Sequence, residues 1–107
     1  MIRAVSLSFD RDCLAVPAGS PSTIDFANDD AGESHNVAMY PADSCLGKAV
    51  AANEQPRCQD PTGPAVYRGS VILGVARITY DVPALPGGDY VFVCEVHLFM
   101  HGAFRVR

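Results

Sequence analysis

The chain has 107 residues, 49% of them hydrophobic, and a formal net charge of -4. This length suffices for one domain with a core of its own, so we expect a single domain over 1–107. The acidic balance, without a cluster of Lys or Arg, argues against nucleic-acid binding, which depends on basic contacts to phosphate. No stretch approaches the roughly 18 apolar residues of a transmembrane helix, so we expect no membrane span in this chain.

Short segments of alternating apolar residues recur along the chain, which is the pattern of half-buried β-strands. Turn-forming residues separate these segments at 17–19, 28–32, 61–64 and 86–88. Many short strands with regular turns predict an all-β sandwich or barrel. In chain order the alternating positions are Val5, Leu7 and Phe9; Ile24 and Phe26; Val37 and Met39; Ile78, Tyr80 and Val82; Tyr90, Phe92 and Cys94; Phe104 and Val106.

The alternation lapses over residues 41–64, where we expect an irregular insertion with one or two helical turns at 46–53. A long loop in a compact domain is usually functional or tied down. Cys45 and Cys58 bracket this insertion, and a disulfide between them would stabilise the fold by about 3 kcal/mol. The favoured interpretation of Cys13 is then a free buried thiol, with its pairing to either other cysteine left open.

A disulfide implies an oxidising compartment, so a periplasmic or extracellular location is expected if the bridge forms. The first residues, Met1–Val5, show no basic segment followed by an apolar one, so a signal peptide is absent from this sequence. An exported protein in its mature form, or a domain of a longer protein, would account for a disulfide in a sequence that shows no signal peptide.

Soft metal ligands are concentrated near the C-terminus, where Cys94, His97 and Met100 fall within seven residues. Two imidazoles, one thiolate and a weak, long axial thioether form the ligand set of blue-copper electron-transfer centres. The second imidazole must come from elsewhere in the chain, and His35 is the candidate. The sequence therefore predicts one copper ion bound by His35, Cys94, His97 and Met100.

His-Asn-Val at 35–37, followed far downstream by Cys-x2-His-x2-Met-x-Gly at 94–102, resembles the cupredoxin family of type 1 blue copper proteins. The resemblance spans nearly the whole chain, and the short spacing from Cys94 to Met100 is most similar to the amicyanin branch. It implies a Greek-key β-sandwich and a one-electron carrier between redox partners rather than an enzyme. A monomer that docks its partners transiently is expected.

The resemblance also implies roles for residues around the ligands. Asn36 occupies the place of the Asn that ties the two ligand-bearing loops together in cupredoxins. Val96 stands where the amicyanin branch often has Pro, so it keeps an N–H able to donate to the Cys94 sulfur. Leu98 and Phe99 would form an apolar rim around the edge of His97, which suits brief docking to a redox partner.

Alternative interpretations are carried alongside the electron carrier. Zinc also binds Cys and His, although a thioether ligand argues against it. A copper-delivery module would bind the same ion but release Cu(I) to an acceptor, and the chain could also be a cupredoxin-like domain of a larger redox protein. A metal-free immunoglobulin-like interaction domain would require the match at His35 to be coincidental.

Overall fold

The computed structural model describes residues 1–42, 64–97 and 100–107. The predicted disulfide between Cys45 and Cys58, the helical turns at 46–53 and the predicted docking residues Leu98 and Phe99 lie outside these ranges. Within them, eleven strands form, numbered in chain order: β1 Ile2–Val5, β2 Ser8–Phe9, β3 Cys13–Val16, β4 Ser22–Asn28, β5 Ser34–His35, β6 Ala38–Pro41, β7 Tyr67–Arg68, β8 Ile72–Leu73, β9 Ala76–Val82, β10 Gly88–Val93 and β11 His101–Val106.

Two sheets face each other across the core. The first has the strand order β2-β1-β4-β9 and the second the order β3-β11-β10-β6-β7, while β5 and β8 form a separate antiparallel pair. β1 runs parallel to β4 and β3 parallel to β11, and the other pairings are antiparallel. The predicted all-β sandwich is confirmed. No helix in the described ranges is long and apolar enough to cross a bilayer.

Aromatic side chains from both sheets fill the space between them. Phe26 of β4 and Phe92 of β10 are fully buried, and the ring of Phe9 lies against both, with centroids 6.4 Å and 5.2 Å away. Tyr80 stacks on Phe26 at 5.6 Å. These contacts follow from the period of two in the sequence, because alternate residues of each strand point to the same side of its sheet.

One predicted strand is interrupted. The alternation of Val5, Leu7 and Phe9 predicts a continuous strand, but Ser6 and Leu7 adopt positive φ angles of 53° and 58°. The chain reverses there, and Val5 pairs with Ser8 across a two-residue turn between β1 and β2. Nothing in the local sequence signals this turn, since such hairpins ordinarily carry Asn-Gly or Asp-Gly.

Cys13 lies in β3 and carries a free, half-buried thiol. The free thiol agrees with the interpretation favoured from sequence, although the residue is half-buried rather than buried. Its neighbour in the sheet is Ala103 of β11, so the thiol packs beside the strand that follows the candidate ligands rather than among them.

Candidate metal centre

The strand register brings the candidate ligands to one end of the second sheet. Ala38 of β6 pairs with Val93, the last residue of β10. His35 precedes Ala38 by three residues and Cys94 follows Val93 directly, so antiparallel pairing places both at the same end. The segment from Cys94 to Met100 then connects β10 to β11, which begins at His101.

Three ligand atoms converge at this end. One ring nitrogen from each of His35 and His97 and the Cys94 sulfur all lie within 4.8 Å of one another. The Cys94 Sγ is 3.6 Å from His35 Nδ1 and 3.9 Å from His97 Nδ1. An ion at about 2.3 Å from a thiolate and about 2.0 Å from an imidazole nitrogen, with about 120° between the bonds, requires a separation of about 3.7 Å. Both sulfur–nitrogen separations therefore fit a trigonal His2Cys site.

Burial of the donors differs in a way that matters for chemistry. His35 and Cys94 are fully buried and Met100 is 2% exposed, whereas the side chain of His97 is 18% exposed. A set of buried donors excludes water, and the one partly exposed ligand edge gives the site its contact with the surface.

Backbone hydrogen bonds close the ligand loop on itself. The Cys94 N–H donates to the Met100 carbonyl at 3.0 Å, and the Met100 N–H donates to the His97 carbonyl at 2.9 Å. The Met100 side chain belongs to the same buried cluster as Cys94. This places the thioether-bearing residue beside the thiolate and imidazole donors, while His101 is not part of the converging group.

Asn36 links the segments that carry the candidate ligands. Its Oδ1 accepts a hydrogen bond from the Glu95 N–H at 2.8 Å, and its Nδ2 donates to the Gly69 carbonyl at 3.1 Å. The side chain is fully buried. Because Asn36 follows His35 and Glu95 follows Cys94, these bonds hold the distance between the two ligand segments.

Glu95 has a structural role that sequence reasoning missed. Its carboxylate forms a two-pronged ion pair with the Arg68 guanidinium at 2.7 and 2.8 Å, accepts from the Tyr40 hydroxyl at 2.6 Å and accepts from Asn36 Nδ2 at 3.1 Å. The ion pair with Arg68 lowers the pKa of Glu95, against the effect of burial. Since Tyr40 lies in β6, Arg68 in β7 and Asn36 between β5 and β6, no local motif could have indicated the arrangement.

A carboxylate also faces the far nitrogen of each imidazole. Asp30 Oδ2 lies 2.8 Å from His35 Nε2, and Glu33 Oε2 lies 3.4 Å from His97 Nε2. Both acids belong to the turn between β4 and β5, and Asp30 lies within the turn-forming segment 28–32. The hydrogen bond from the Leu7 N–H is the largest cause of a lowered pKa for Asp30.

No hydrogen bond of the described residues joins the Val96 N–H to the Cys94 sulfur, so donation to the thiolate stays a prediction. The Cys94 Sγ instead faces the two imidazoles, and Val96 is 47% exposed beside His97.

No protein-family model matches the chain, and no curated protein matches it in sequence. Solved structures do match its fold. Auracyanin A, a "blue" copper protein from the green thermophilic photosynthetic bacterium Chloroflexus aurantiacus, aligns with a TM-score of 0.70 at 24% identity, over 99% of this chain and 95% of its own. The chain has the cupredoxin fold.

Two other solved structures extend this comparison. A reduced Cu(I) form of an amicyanin mutant aligns over 99% of this cupredoxin-fold chain and 79% of its own, with a TM-score of 0.60 and 20% identity. A Cu-containing nitrite reductase from Thermus scotoductus aligns over 99% of this chain but only 21% of its own, with a TM-score of 0.59 and 21% identity. The cupredoxin fold of this chain is thus similar both to whole small copper proteins and to one part of a larger one.

Proposed function

We propose that this chain is a mononuclear type 1 copper protein that carries one electron at a time between redox partners. The observation that carries the proposal is the convergence of His35 Nδ1, Cys94 Sγ and His97 Nδ1 at the end of β10. Met100, buried in the same cluster as Cys94, would complete the set as a weak thioether ligand. Soft thiolate and thioether donors with imidazole select copper rather than hard cations, and this combination is that of blue-copper electron-transfer sites.

A bound copper ion supplies the one-electron Cu(II)/Cu(I) couple. The chain's own residues would provide the rest. Cys94 would bind as a thiolate after losing the proton at Sγ, and both histidines would bind through the Nδ1 atoms that face that sulfur. The donor set is closed and its members are mostly buried, so it leaves no open position of the kind that catalytic metal sites keep for a substrate. This supports an electron carrier over an enzyme.

We further propose that electrons enter and leave at the edge of His97, the one partly exposed ligand. Exposed Val96 lies next to it in the chain, and Leu98 and Phe99 would extend an apolar rim. Such a rim suits small, short-lived contacts with a redox protein. We also propose a single domain over 1–107, a monomeric protein and an exported location. A disulfide between Cys45 and Cys58 would be consistent with export, because disulfides form in oxidising compartments.

The first test is to titrate the apo-protein with one equivalent of Cu(II) and record visible and electron paramagnetic resonance spectra. We expect intense blue colour with narrow copper hyperfine splitting, bleached by ascorbate and restored on reoxidation. Cys94→Ser should abolish the colour, whereas Cys13→Ser, which removes the free thiol of β3, should leave it unchanged. A pale, wide-split signal from the wild type would contradict the proposal.

A copper-delivery module would bind the same ion. The electron carrier and the delivery module are therefore distinguished by how firmly the protein retains Cu(I). A carrier should hold Cu(I) against a competing chelator through repeated redox cycles, whereas a delivery protein should lose it. Met100→Leu should retain the blue colour but alter the reduction potential, because the axial ligand tunes it.

The alternative of a domain within a larger redox protein is favoured by one comparison, the alignment to about a fifth of a copper-containing nitrite reductase. An immunoblot of cells that express the protein, with an antibody raised against this chain, distinguishes a free carrier from a domain of a larger protein. A band near the 11.4 kDa of the chain supports a free carrier, and a much larger band supports the domain.

A further inference from the structure

The turn between β1 and β2 has an energetically unfavourable backbone. Ser6 and Leu7 both adopt left-handed φ angles, which are unfavourable for residues other than glycine because Cβ then lies too close to the following carbonyl oxygen. Two-residue hairpins of this kind normally use Asn and Gly for that reason. Contacts from outside the turn must therefore stabilise it.

Asp30 provides those contacts from the turn between β4 and β5. Its Oδ1 accepts a hydrogen bond from the Ser6 N–H at 2.5 Å, and its Oδ2 accepts one from the Leu7 N–H at 2.9 Å. Successive N–H groups in such a turn form a concave site for an anion. The carboxylate is thereby held by the hairpin, and the hairpin by the carboxylate.

Asn28 fixes the other side of this arrangement. Its Oδ1 accepts from the Asp30 N–H at 2.9 Å, while its Nδ2 donates to the carbonyls of Glu33 and Ile72 at 2.9 and 3.1 Å. The side chain is fully buried. Asp30 therefore has little freedom, either in its backbone or in its carboxylate.

The third donor to this carboxylate is the candidate ligand His35, whose Nε2 lies 2.8 Å from Oδ2. An ionised carboxylate only accepts hydrogen bonds, so Nε2 must carry the ring proton. In the neutral ring the lone pair is then on Nδ1, the atom that faces Cys94 Sγ at 3.6 Å. The carboxylate thus selects the tautomer that a metal at this site requires.

We propose that Asp30 is a positioning residue of the copper centre: anchored by the Ser6–Leu7 turn, it sets the tautomer and orientation of His35 and lowers the reduction potential. This inference rests on the proposed copper function. A carboxylate that accepts the far N–H of a ligating histidine makes that ligand more basic. The more basic ligand and the adjacent negative charge both favour Cu(II) over Cu(I).

Asp30→Asn is the direct test. The carboxylate accepts three hydrogen bonds through two oxygens, whereas the Asn amide has one oxygen, and its NH2 group would face at least one of the three donors. The matched control is Asp29→Asn. Asp29 lies in the same turn and carries the same charge, but its carboxylate pairs with Arg3 Nε at 2.9 Å and touches neither histidine. Comparison of the two variants separates direct contact with His35 from the loss of one negative charge nearby.

Asp30→Asn also removes support from the strained hairpin, so folding must be separated from positioning. Ser6→Asn combined with Leu7→Gly places the preferred residues at both positive-φ positions. In that background the turn no longer depends on Asp30. Any effect of Asp30→Asn on His35 in the Ser6→Asn, Leu7→Gly background is therefore due to the lost contact with His35 and not to a destabilised hairpin.

The first readout needs no metal: long-range ¹H–¹⁵N correlations of the His35 ring in the apo-protein, at a pH well above the usual pKa of histidine. We expect the Nε2–H tautomer in the wild type, in Asp29→Asn and in the hairpin background, and a mixture once Asp30→Asn is added. The second readout is the reduction potential of the copper-loaded proteins. Asp30→Asn should raise it by more than Asp29→Asn does.

An unchanged His35 tautomer, or equal potential shifts for the two variants, would overturn the proposal. If the wild type forms no blue copper site, the proposed function fails, yet the tautomer measurement still decides whether Asp30 positions His35. The two failures are therefore distinguishable.

Discussion

At the scale of single residues, the metal centre depends on polar side chains that do not touch the metal. Asn36 holds the segments of His35 and Cys94 together, Asp30 faces His35, and Glu33 faces His97. Neighbours of this kind orient metal ligands and adjust their basicity. These hydrogen bonds and ion pairs therefore help to hold the candidate ligands in their positions.

Asn36→Ala should destabilise the apo-protein by about 1–3 kcal/mol for each polar group left buried and unpaired, here the Glu95 N–H and the Gly69 carbonyl. Urea unfolding measures this effect. Thr79→Val is the control, because the bond from Thr79 to Asp25 lies at the surface and its loss should change stability by no more than about 0.5 kcal/mol. Equal effects of the two substitutions would show that Asn36 contributes no more than a surface contact.

At the scale of elements, the close approach of β10 and β11 positions the ligand loop that joins them. Gly102 of β11 pairs with Phe92 of β10. A Cβ at Gly102 would lie 2.4 Å from the Phe92 ring and 2.8 Å from the Asp12 carbonyl oxygen. The glycine two residues after Met100 is therefore required by packing.

Gly102→Ala should destabilise the protein by about 1–3 kcal/mol through overpacking, measured as a lower midpoint of thermal or urea unfolding. Gly88→Ala in β10 is the matched control. The nearest atom to a Cβ at Gly88 is Tyr90 Cε1 at 3.8 Å, an ordinary contact, so that variant should be close to neutral. A tolerated Gly102→Ala would mean that the strands separate more easily than this packing implies.

At the scale of the whole molecule, the two sheets form a scaffold on which the ligands already converge. Binding of a metal ion to the folded state should then stabilise it without rearranging it. Zinc, which cannot change oxidation state, should raise the free energy of unfolding by about 2.7 kcal/mol at a free concentration one hundred times its dissociation constant.

This prediction is tested by chemical denaturation with and without Zn(II), followed by reversal with a chelator. Backbone amide shifts should change only near the end of β10, around His35 and Cys94. Cys94→Ser is the control and should lose most of the stabilisation. Widespread shifts in the core would instead indicate that the site is assembled by the metal.

Much of the fold was predictable because its signals are local. The period-two alternation identified β4, β6, β9, β10 and β11, since each of these strands buries one side against the core. The spacing of Cys94, His97 and Met100 likewise placed three candidate ligands on one loop. For His35, the adjacent Asn36 was the signal that separated it from an ordinary buried histidine.

Other features depend on residues distant in the chain and were not predictable from local pattern. The same alternation that identified β4 predicted a strand through Leu7, but the carboxylate of Asp30, 23 residues away, stabilises a turn there. Residue type and spacing therefore specified the strands and the donor set. The contact of His35 with Asp30, the hairpin at Ser6 and the partners of Glu95 came from three-dimensional packing. Hydrogen bonds between segments can together outweigh a local backbone preference of about 1–2 kcal/mol per residue.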